Sequence, residues 1–168
     1  TIATKNSNIG LAGPAMIEHG GLGKYKPEDI GPIDVQTRNG VVDIACHDEK
    51  EATQMARQVL GFFQGNKAEW TCSDQRVMRH LVPEDRLRVY DMRKIIVNLA
   101  DEGSVVEMRK DYGVGLYTAF IRVEGRPFGL IANNPLHLGG AIDGDGGEKG
   151  GRFLQLCDSF GIPVVSLC

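Results

Sequence analysis

The sequence has no apolar run of about 18 residues, the length that a membrane-spanning helix requires. It also lacks an excess of positive charge, because 19 basic and 22 acidic residues give a formal net charge of -3 at pH 7. A nucleic-acid partner would favour a basic face. Together these absences predict a protein that neither crosses a membrane nor binds nucleic acid.

Cysteine is scarce, and the four residues present are widely spaced, at positions 46, 72, 157 and 168. No C-x-x-C pair occurs, and the four histidines do not complete a zinc-ligand spacing with them. Nothing indicates the secretory setting in which paired disulfides form. We therefore expect reduced thiols, no metal in this segment and a reducing compartment: the cytoplasm, or the mitochondrial matrix if the source is eukaryotic.

The motifs of nucleophilic catalysis are incomplete. Ser166 lies in an apolar strand and has no G-x-S-x-G elbow around it. Cys46 and His47 are adjacent on a predicted strand, where neighbouring side chains point to opposite faces. The sequence therefore favours neither a hydrolase nor a thiol enzyme.

Glycine, with 22 residues, is the compositional excess, and it clusters at 10–23 and 139–151. Gly139 and Gly140 directly follow a predicted strand, where backbone amides can approach a ligand as an oxyanion site requires. An ordinary glycine turn before a helix is the alternative, and spacing alone leaves both open. The acidic run that follows lacks the ligand spacing of a calcium loop, so Asp145 is expected to cap the next helix.

Periodicity and turn residues predict alternating strands and helices. Strands are expected at 1–10, 41–45, 105–108, 117–123, 127–132 and 163–168, and helices at 14–19, 48–63, 91–99 and 148–160. Segment 24–38 is turn-rich, Asn39-Gly40 indicates a hairpin-like bend, and Glu124-Gly125-Arg126 indicates a turn between two strands. Asp48 and Glu51 resemble a capping box at the start of the second helix, and Asp91 is expected to cap the third. In the fourth helix, Phe160 is expected to face inward. Strand 117–123 alternates as a half-buried strand does, whereas the unbroken apolar run 163–168 predicts a buried parallel strand.

Five groups of residues, in order along the chain, resemble one enzyme family. They are Gly13-Pro14-Ala15-Met16-Ile17-Glu18; Asn39-Gly40-Val41-Val42-Asp43; Tyr90-Asp91-Met92-Arg93; Val123-Glu124-Gly125-Arg126-Pro127 followed by Ala132-Asn133-Asn134-Pro135; and Glu148-Lys149, Arg152-Phe153 and Cys157-Asp158. In this order and spacing they resemble the carboxyltransferase subunits of biotin-dependent acetyl-, propionyl- and related acyl-CoA carboxylases. One departure is Gly150-Gly151, where the family usually has alanines and each glycine weakens a helix by about 1 kcal/mol.

The resemblance implies an α/β, crotonase-like fold of two related halves, each a spiral of β-strands and helices. Residues 1–64 are expected to end the first half, 65–85 to form a linker and 86–168 to open the second half. The main oxyanion motifs of the family lie outside this stretch. The resemblance therefore implies an internal piece of a longer enzyme, inactive by itself, and assigns no catalytic residue.

The implied reaction moves a carboxyl group from carboxybiotin, carried on a partner protein, to the α-carbon of an acyl-CoA, with backbone amides stabilising charged oxygens. Gly13 and Pro14 are expected on the acyl-CoA side, and Gly139, Gly140 and Ala141 on the biotin side. The implied partners are biotin carboxyl carrier and biotin carboxylase components, and further copies in a trimer-based hexamer. A different crotonase-fold enzyme of CoA thioesters, such as a biotin-dependent decarboxylase, and a non-catalytic scaffold stay open as alternatives.

Overall fold

A computed structural model describes residues 1–85 and 87–168 of the chain. Arg86, at which the third predicted segment begins, lies outside the described residues. The elements are β1 (Ile2–Thr4), α1 (Pro14–His19), α2 (Ile33–Arg38), β2 (Ile44–Cys46), α3 (Glu49–Phe62), α4 (Met92–Leu99), β3 (Val106–Glu107), β4 (Leu116–Val123), β5 (Arg126–Asn133), α5 (Gly144–Ser159) and β6 (Val164–Leu167). Short 3-10 turns lie at Pro27–Asp29, Gln75–His80 and Leu138–Gly140. The predicted mixed α/β class is confirmed.

The larger of two sheets holds the second part of the chain. Strands β3, β4, β5 and β6 lie side by side in that order, with antiparallel pairing except between β5 and β6, which are parallel. Helix α5 makes the crossover from β5 to β6 and packs on β4. Glu124 and Gly125 form the tight turn between β4 and β5, as the sequence predicts.

The bend at Asn39 and Gly40 does not close a hairpin, contrary to the prediction. Strand β2 pairs with β1 in parallel, and parallel strands require a crossover, which here contains α1 and α2. Helix α2 also occupies part of the segment predicted as turns. Gly40 has a φ of 78°, and a Cβ there would lie 2.7 Å from the Tyr112 ring. Close approach of this ring, rather than a hairpin, therefore requires glycine at position 40.

The helix starts follow from their capping residues. The Asp48 carboxylate accepts a hydrogen bond from the Glu51 amide at 2.8 Å, and the Glu51 carboxylate accepts one from the His47 amide at 2.6 Å. The Asp48 bond confirms the predicted cap of α3, and Glu51 completes a capping-box-like pattern in which it bonds the amide one residue before the N-cap. Helix α5 begins four residues earlier than predicted, because Asp143, and not Asp145, accepts from the Gly146 amide at 2.8 Å.

Three burial predictions are wrong. Strand β4 is buried on both faces, because one apolar cluster covers its Phe120 side and another covers Tyr117 and Ile121. Strand β6 does pair in parallel, but it lies at the sheet's edge and alternates between exposed and half-buried residues. Phe160, predicted to face inward, is 62% exposed although its ring contacts Phe63.

One apolar cluster contains residues from both predicted halves. Ile44, Cys46 and Phe62 from the first pack with Val106, Phe120, Phe153, Cys157 and Ile162 from the second. The predicted linker is also attached to the second half, since the Lys67 amide donates to the Gly125 carbonyl at 3.0 Å and the Thr71 hydroxyl to Glu102 at 3.0 Å. The boundaries after residues 64 and 85 stay predictions.

The Gly150-Gly151 pair of α5 predicts opposite effects of the same substitution. A Cβ at Gly151 meets no atom within 4 Å, so Gly151→Ala is expected to raise the free energy of unfolding by about 1 kcal/mol. A Cβ at Gly150 would lie 2.7 Å from the buried Leu116 side chain, so Gly150→Ala is expected to gain nothing or to destabilise. Urea unfolding of both variants measures the difference, and equal gains would contradict this packing.

Candidate functional site

Gly13 and Pro14, the residues predicted for the acyl-CoA side, begin α1. Gly13 is the N-cap, with extended backbone at φ -80° and ψ 167°, and Pro14 is the first helical residue, where its missing N–H costs nothing. Gly13 is exposed, and a Cβ built there meets no atom within 4 Å. Its surface is therefore open to a ligand.

Gly139, Gly140 and Ala141, the residues predicted for the biotin side, form a tight loop between β5 and α5. Gly139 and Gly140 have φ values of 65° and 94°, in the region that favours glycine. The Gly140 amide donates to the His137 carbonyl at 2.9 Å, and the Ala141 amide to the Leu138 carbonyl at 3.3 Å. Because these two amides donate within the loop itself, they are not available as hydrogen-bond donors to a ligand. The backbone here contributes the shape of the surface.

Two side-chain contacts hold this loop in place. The Asn133 amide group donates to the Gly140 carbonyl at 3.0 Å, which anchors the loop to the end of β5. His137 Nε2 lies 3.0 Å from Asp143 Oδ2, while the other oxygen of Asp143 caps α5. The Gly146 amide and then His137 hold the pKa of Asp143 below its usual range, so the cap stays ionised at neutral pH.

The structure leaves the two predicted segments on different elements. Gly13 and Pro14 belong to the crossover between β1 and β2, whereas the loop 139–141 follows β5 in the larger sheet. Within residues 1–85 and 87–168, no hydrogen bond or close glycine contact joins them. They are two surfaces, and neither brings catalytic side chains together.

A cavity that the sequence did not predict lies along α5. It has a volume of about 380 Å³, with one wall formed by α5 and the other by β4, the residues after β3, and Asp43 before β2. Its polar and charged lining residues are Asp43, Arg109, Thr118, Lys149, Arg152, Gln155 and Ser159. The cavity thus joins three separate parts of the chain.

Two of the cavity's cations are buried. Lys149 is 1% exposed and Arg109 8% exposed. Arg109 has a φ of 52°, an uncommon conformation for a non-glycine residue, and its Nε donates to Asp43 at 2.8 Å. Burial, which disfavours the charged amine, lowers the pKa of Lys149 to about 8.

The predicted helix pattern contained a signal for Lys149. Four and eight positions before Phe153 and Cys157, it falls on the same face as these buried residues of α5. Because a lysine is rarely buried, the helical spacing alone does not predict that Lys149 belongs to the core. Arg109 gave no such signal, because its burial depends on the distant Asp43.

The two buried cysteines carry no reactive centre. All four are free thiols, of which Cys46 and Cys157 are buried. Burial raises the pKa of Cys157 to about 11, and burial followed by the charges of Glu51 and Asp48 raises that of Cys46. Thiolate is the nucleophilic form, so both buried thiols are inert.

Across residues 1–85 and 87–168, no group of three or more His, Cys, Asp or Glu side chains is placed to hold a metal ion. No helix within the same ranges has the length and apolar character needed to cross a bilayer.

Comparisons with known proteins agree with the geometry. The family model "Carboxyl transferase domain" matches residues 1–168. The propionyl-CoA carboxylase beta chain of Roseobacter denitrificans is 32% identical over 96% of this chain and 34% of its own length. A solved single-chain, multi-domain long-chain acyl-CoA carboxylase is 58% identical with a TM-score of 0.97, covering 99% of this chain and 17% of that one. The transcarboxylase 12S structure, a hexamer assembly, is 28% identical with a TM-score of 0.83, covering 99% and 35%.

These matches confirm the predicted fold and family. The structural neighbours are carboxyltransferase domains of the crotonase-like fold, which the chain shares over nearly its whole length. The chain spans about a third of the length of the curated relative reported above. It belongs to the carboxyl transferase domain family of biotin-dependent acyl-CoA carboxylases and transcarboxylases.

Proposed function

We propose that the protein containing this chain transfers a carboxyl group carried on biotin to the α-carbon of an acyl-CoA. The observation that carries the proposal is the match of the carboxyl transferase domain family over all 168 residues. Biotin supplies the activated carboxyl group when its carrier protein is bound. The chain's own residues bind and orient the two substrates, and the main oxyanion donors are expected elsewhere in the polypeptide.

The surfaces at Gly13 and at the loop 139–141 fit these two roles. Gly13 is exposed with open space above its Cα, which lets an extended ligand pass close to the backbone. Gly139 is likewise free of neighbours at its Cβ position, and Asn133 fixes the loop around it. We assign Gly13 and Pro14 to the acyl-CoA side and Gly139, Gly140 and Ala141 to the biotin side.

Within this reaction we favour a long-chain acyl-CoA as substrate. The solved long-chain acyl-CoA carboxylase is 58% identical, against 32% for the propionyl-CoA carboxylase beta chain reported above. The expected partners are a biotin carboxyl carrier and a biotin carboxylase, either as separate proteins or as domains of one polypeptide. Assembly as a trimer-based hexamer in the cytoplasm, or in the matrix of a mitochondrion, belongs to the same proposal.

An acyl-CoA panel tests the reaction and the substrate class together. The native polypeptide is incubated with biotin carrier that bears a radiolabelled carboxyl group and with acetyl-, propionyl- or palmitoyl-CoA. The radiolabelled, carboxylated acyl-CoA is then counted. Transfer to palmitoyl-CoA with the highest kcat/KM is expected. Transfer only to the short acyl-CoAs would refute the long-chain assignment, and release of carbon dioxide without any transfer would favour a decarboxylase. No reaction of any kind would favour the scaffold alternative.

Adding bulk at Gly13 tests the acyl-CoA side. Because Gly13 has ordinary backbone dihedrals and open space, Gly13→Leu is expected to fold normally and to raise the KM for acyl-CoA at least about tenfold by excluding the ligand. Gly147→Leu is the matched control, since Gly147 is exposed on α5 and also has no neighbour within 4 Å. An unchanged KM in Gly13→Leu would remove this residue from the site.

A further inference from the structure

The cavity along α5 is lined by three cationic side chains and by one carboxylate, that of Asp43. The Asp43 carboxylate accepts a hydrogen bond from Arg109 Nε. The Glu107 carboxylate forms a bidentate ion pair with Arg93, with N···O distances of 2.8 and 3.0 Å. Within the described residues, Lys149 Nζ and the terminal amino groups of Arg109 form no hydrogen bond or ion pair. Every fully buried side-chain nitrogen or oxygen there does have a partner. These cationic groups therefore face accessible space in the cavity and not sealed protein interior.

Lys149 is the buried cation of the cavity that forms no ion pair within the described residues. Arg109 is paired with Asp43, and its positive charge is one of the influences that lower the pKa of Lys149. A buried cation requires pairing or hydrogen bonding to offset its lost hydration. Arg152, one turn after Lys149 on α5, is largely exposed at the cavity's side, with Nη1 at 3.8 Å from a Glu148 carboxylate oxygen. An anion in the cavity would supply the partner that Lys149 lacks.

We propose that this cavity binds the oxyanion group, phosphate or carboxylate, of a small ligand. Lys149 Nζ and the terminal amino groups of Arg109 donate to it from the interior, and Arg152 donates from the rim. Guanidinium groups suit both oxyanions, because their planar donors match paired oxygens. The hydroxyls of Thr118 and Ser159 and the amide of Gln155 line the remaining wall.

The size of the cavity limits the ligand. A volume of about 380 Å³ lies at the small end of the range for ligand pockets, which is roughly 300–1,000 Å³. The phosphate or carboxylate group would occupy the end near Lys149. The apolar surface of Met108, Phe153 and Leu156 is available to a short carbon skeleton attached to it.

Anion-dependent stabilisation tests the proposal. The Tm of the native polypeptide is measured in sodium phosphate, in sodium succinate and in sodium chloride at equal ionic strength, and affinities are obtained by calorimetric titration. Phosphate, succinate or both are expected to raise the Tm above its value in chloride, because the ligand binds the folded state only. The anion that gives the larger shift identifies the preferred oxyanion.

Substitutions locate the binding. Lys149→Met is expected to abolish the oxyanion-specific Tm shift, and Arg152→Gln, at an exposed position, to weaken the affinity at least about threefold. Lys94→Met, at an exposed position on α4, is the matched control and is expected to keep the wild-type response. If Lys149→Met does not fold, Arg152→Gln decides the question by its affinity.

The pH dependence gives an independent readout. The charged groups that act on Lys149 are Glu107, Arg93, Arg109 and Asp111, and its pKa of about 8 means that it loses its proton as the pH rises past that value. Affinity for succinate, whose own charge is constant over this range, is therefore expected to fall several-fold from about pH 7 to about pH 9. A wild-type Tm that is equal in chloride and in both oxyanions would overturn the proposal, as would a wild-type affinity in Arg152→Gln.

Discussion

Replacing Arg122 by methionine is expected to lower the free energy of unfolding by about 3 kcal/mol. Arg122 is 4% exposed on β4. Its guanidinium donates to the carbonyls of Gly61, Gly65 and Gly125. It also lies over the Phe62 ring, with Cζ at 5.3 Å from the ring centroid. One side chain thus ties the end of α3 and the start of the linker to the β4–β5 turn.

The physical reason for the size of this effect is that one donor group is lost to three carbonyl acceptors at once. Hydrogen bonds to a charged donor contribute about 1.5–3 kcal/mol each, part of which is offset by the cost of burying the guanidinium. Methionine keeps the apolar contact with Phe62 but offers nothing to the three carbonyls. Burial lowers the pKa of Arg122, but its group remains protonated at any ordinary pH.

Urea unfolding followed by circular dichroism measures this effect. Arg126→Met is the matched control, because Arg126 is exposed on β5 at the other side of the same turn and its side chain forms no hydrogen bond or ion pair with the described residues. A change of less than about 0.5 kcal/mol is expected there. If Arg122→Met and Arg126→Met have equal stability, the three hydrogen bonds do not hold α3 to the hairpin.

The sequence predicted those elements whose signals are local. The capping box of Asp48 and Glu51 placed the start of α3, and Asp91 placed the start of α4. The turn at Glu124 and Gly125 placed the β4–β5 hairpin. In each case the residues that decide the structure lie within four positions of one another, which is the range over which sequence patterns are informative.

The errors came from contacts between distant residues. Asn39-Gly40 reads as a hairpin turn, but Tyr112, more than seventy positions later, is what requires glycine at position 40. The alternation of β4 predicts one solvated face. In the structure, α4 covers one face, and the side chains of Phe62 and Phe153 cover the other. Burial of Lys149 and Arg109 depends in the same way on which strand packs under α5. A single sequence carries no local signal for such pairings.

For the candidate site too, the sequence predicts the positions of the residues but not the hydrogen bonds that they form. Resemblance pointed to Gly13 and to the loop 139–141, and their backbone conformations fit a surface that approaches a ligand closely. It did not predict that the Gly140 and Ala141 amides close their own turn. That detail depends on three-dimensional geometry, and it makes the loop a shape-forming element of the proposed site.

Replacing Phe120 by alanine is expected to lower the free energy of unfolding by about 3–5 kcal/mol and to do so in one cooperative transition. Phe120 is 0% exposed, and its ring stacks on that of Phe62 with the centroids 5.3 Å apart. The centroids of the Phe63 and Phe153 rings lie 5.6 and 5.1 Å from that of Phe120. Alanine at this position leaves a cavity between α3, β4 and α5, because these elements are fixed by their own hydrogen bonds and cannot fully close around it.

The shape of this transition tests whether the predicted halves are separate units. Phe62 and Phe63 lie at the end of residues 1–64, whereas Phe120 and Phe153 lie in 86–168, so the removed ring is shared by both. Phe160→Ala is the matched control, since that ring is 62% exposed, and it is expected to cost less than about 1 kcal/mol. Circular dichroism and tryptophan fluorescence, which reports on Trp70 of the linker, are followed together in urea. Coincident transitions in Phe120→Ala support one shared core, whereas two separated transitions would show that the halves unfold independently.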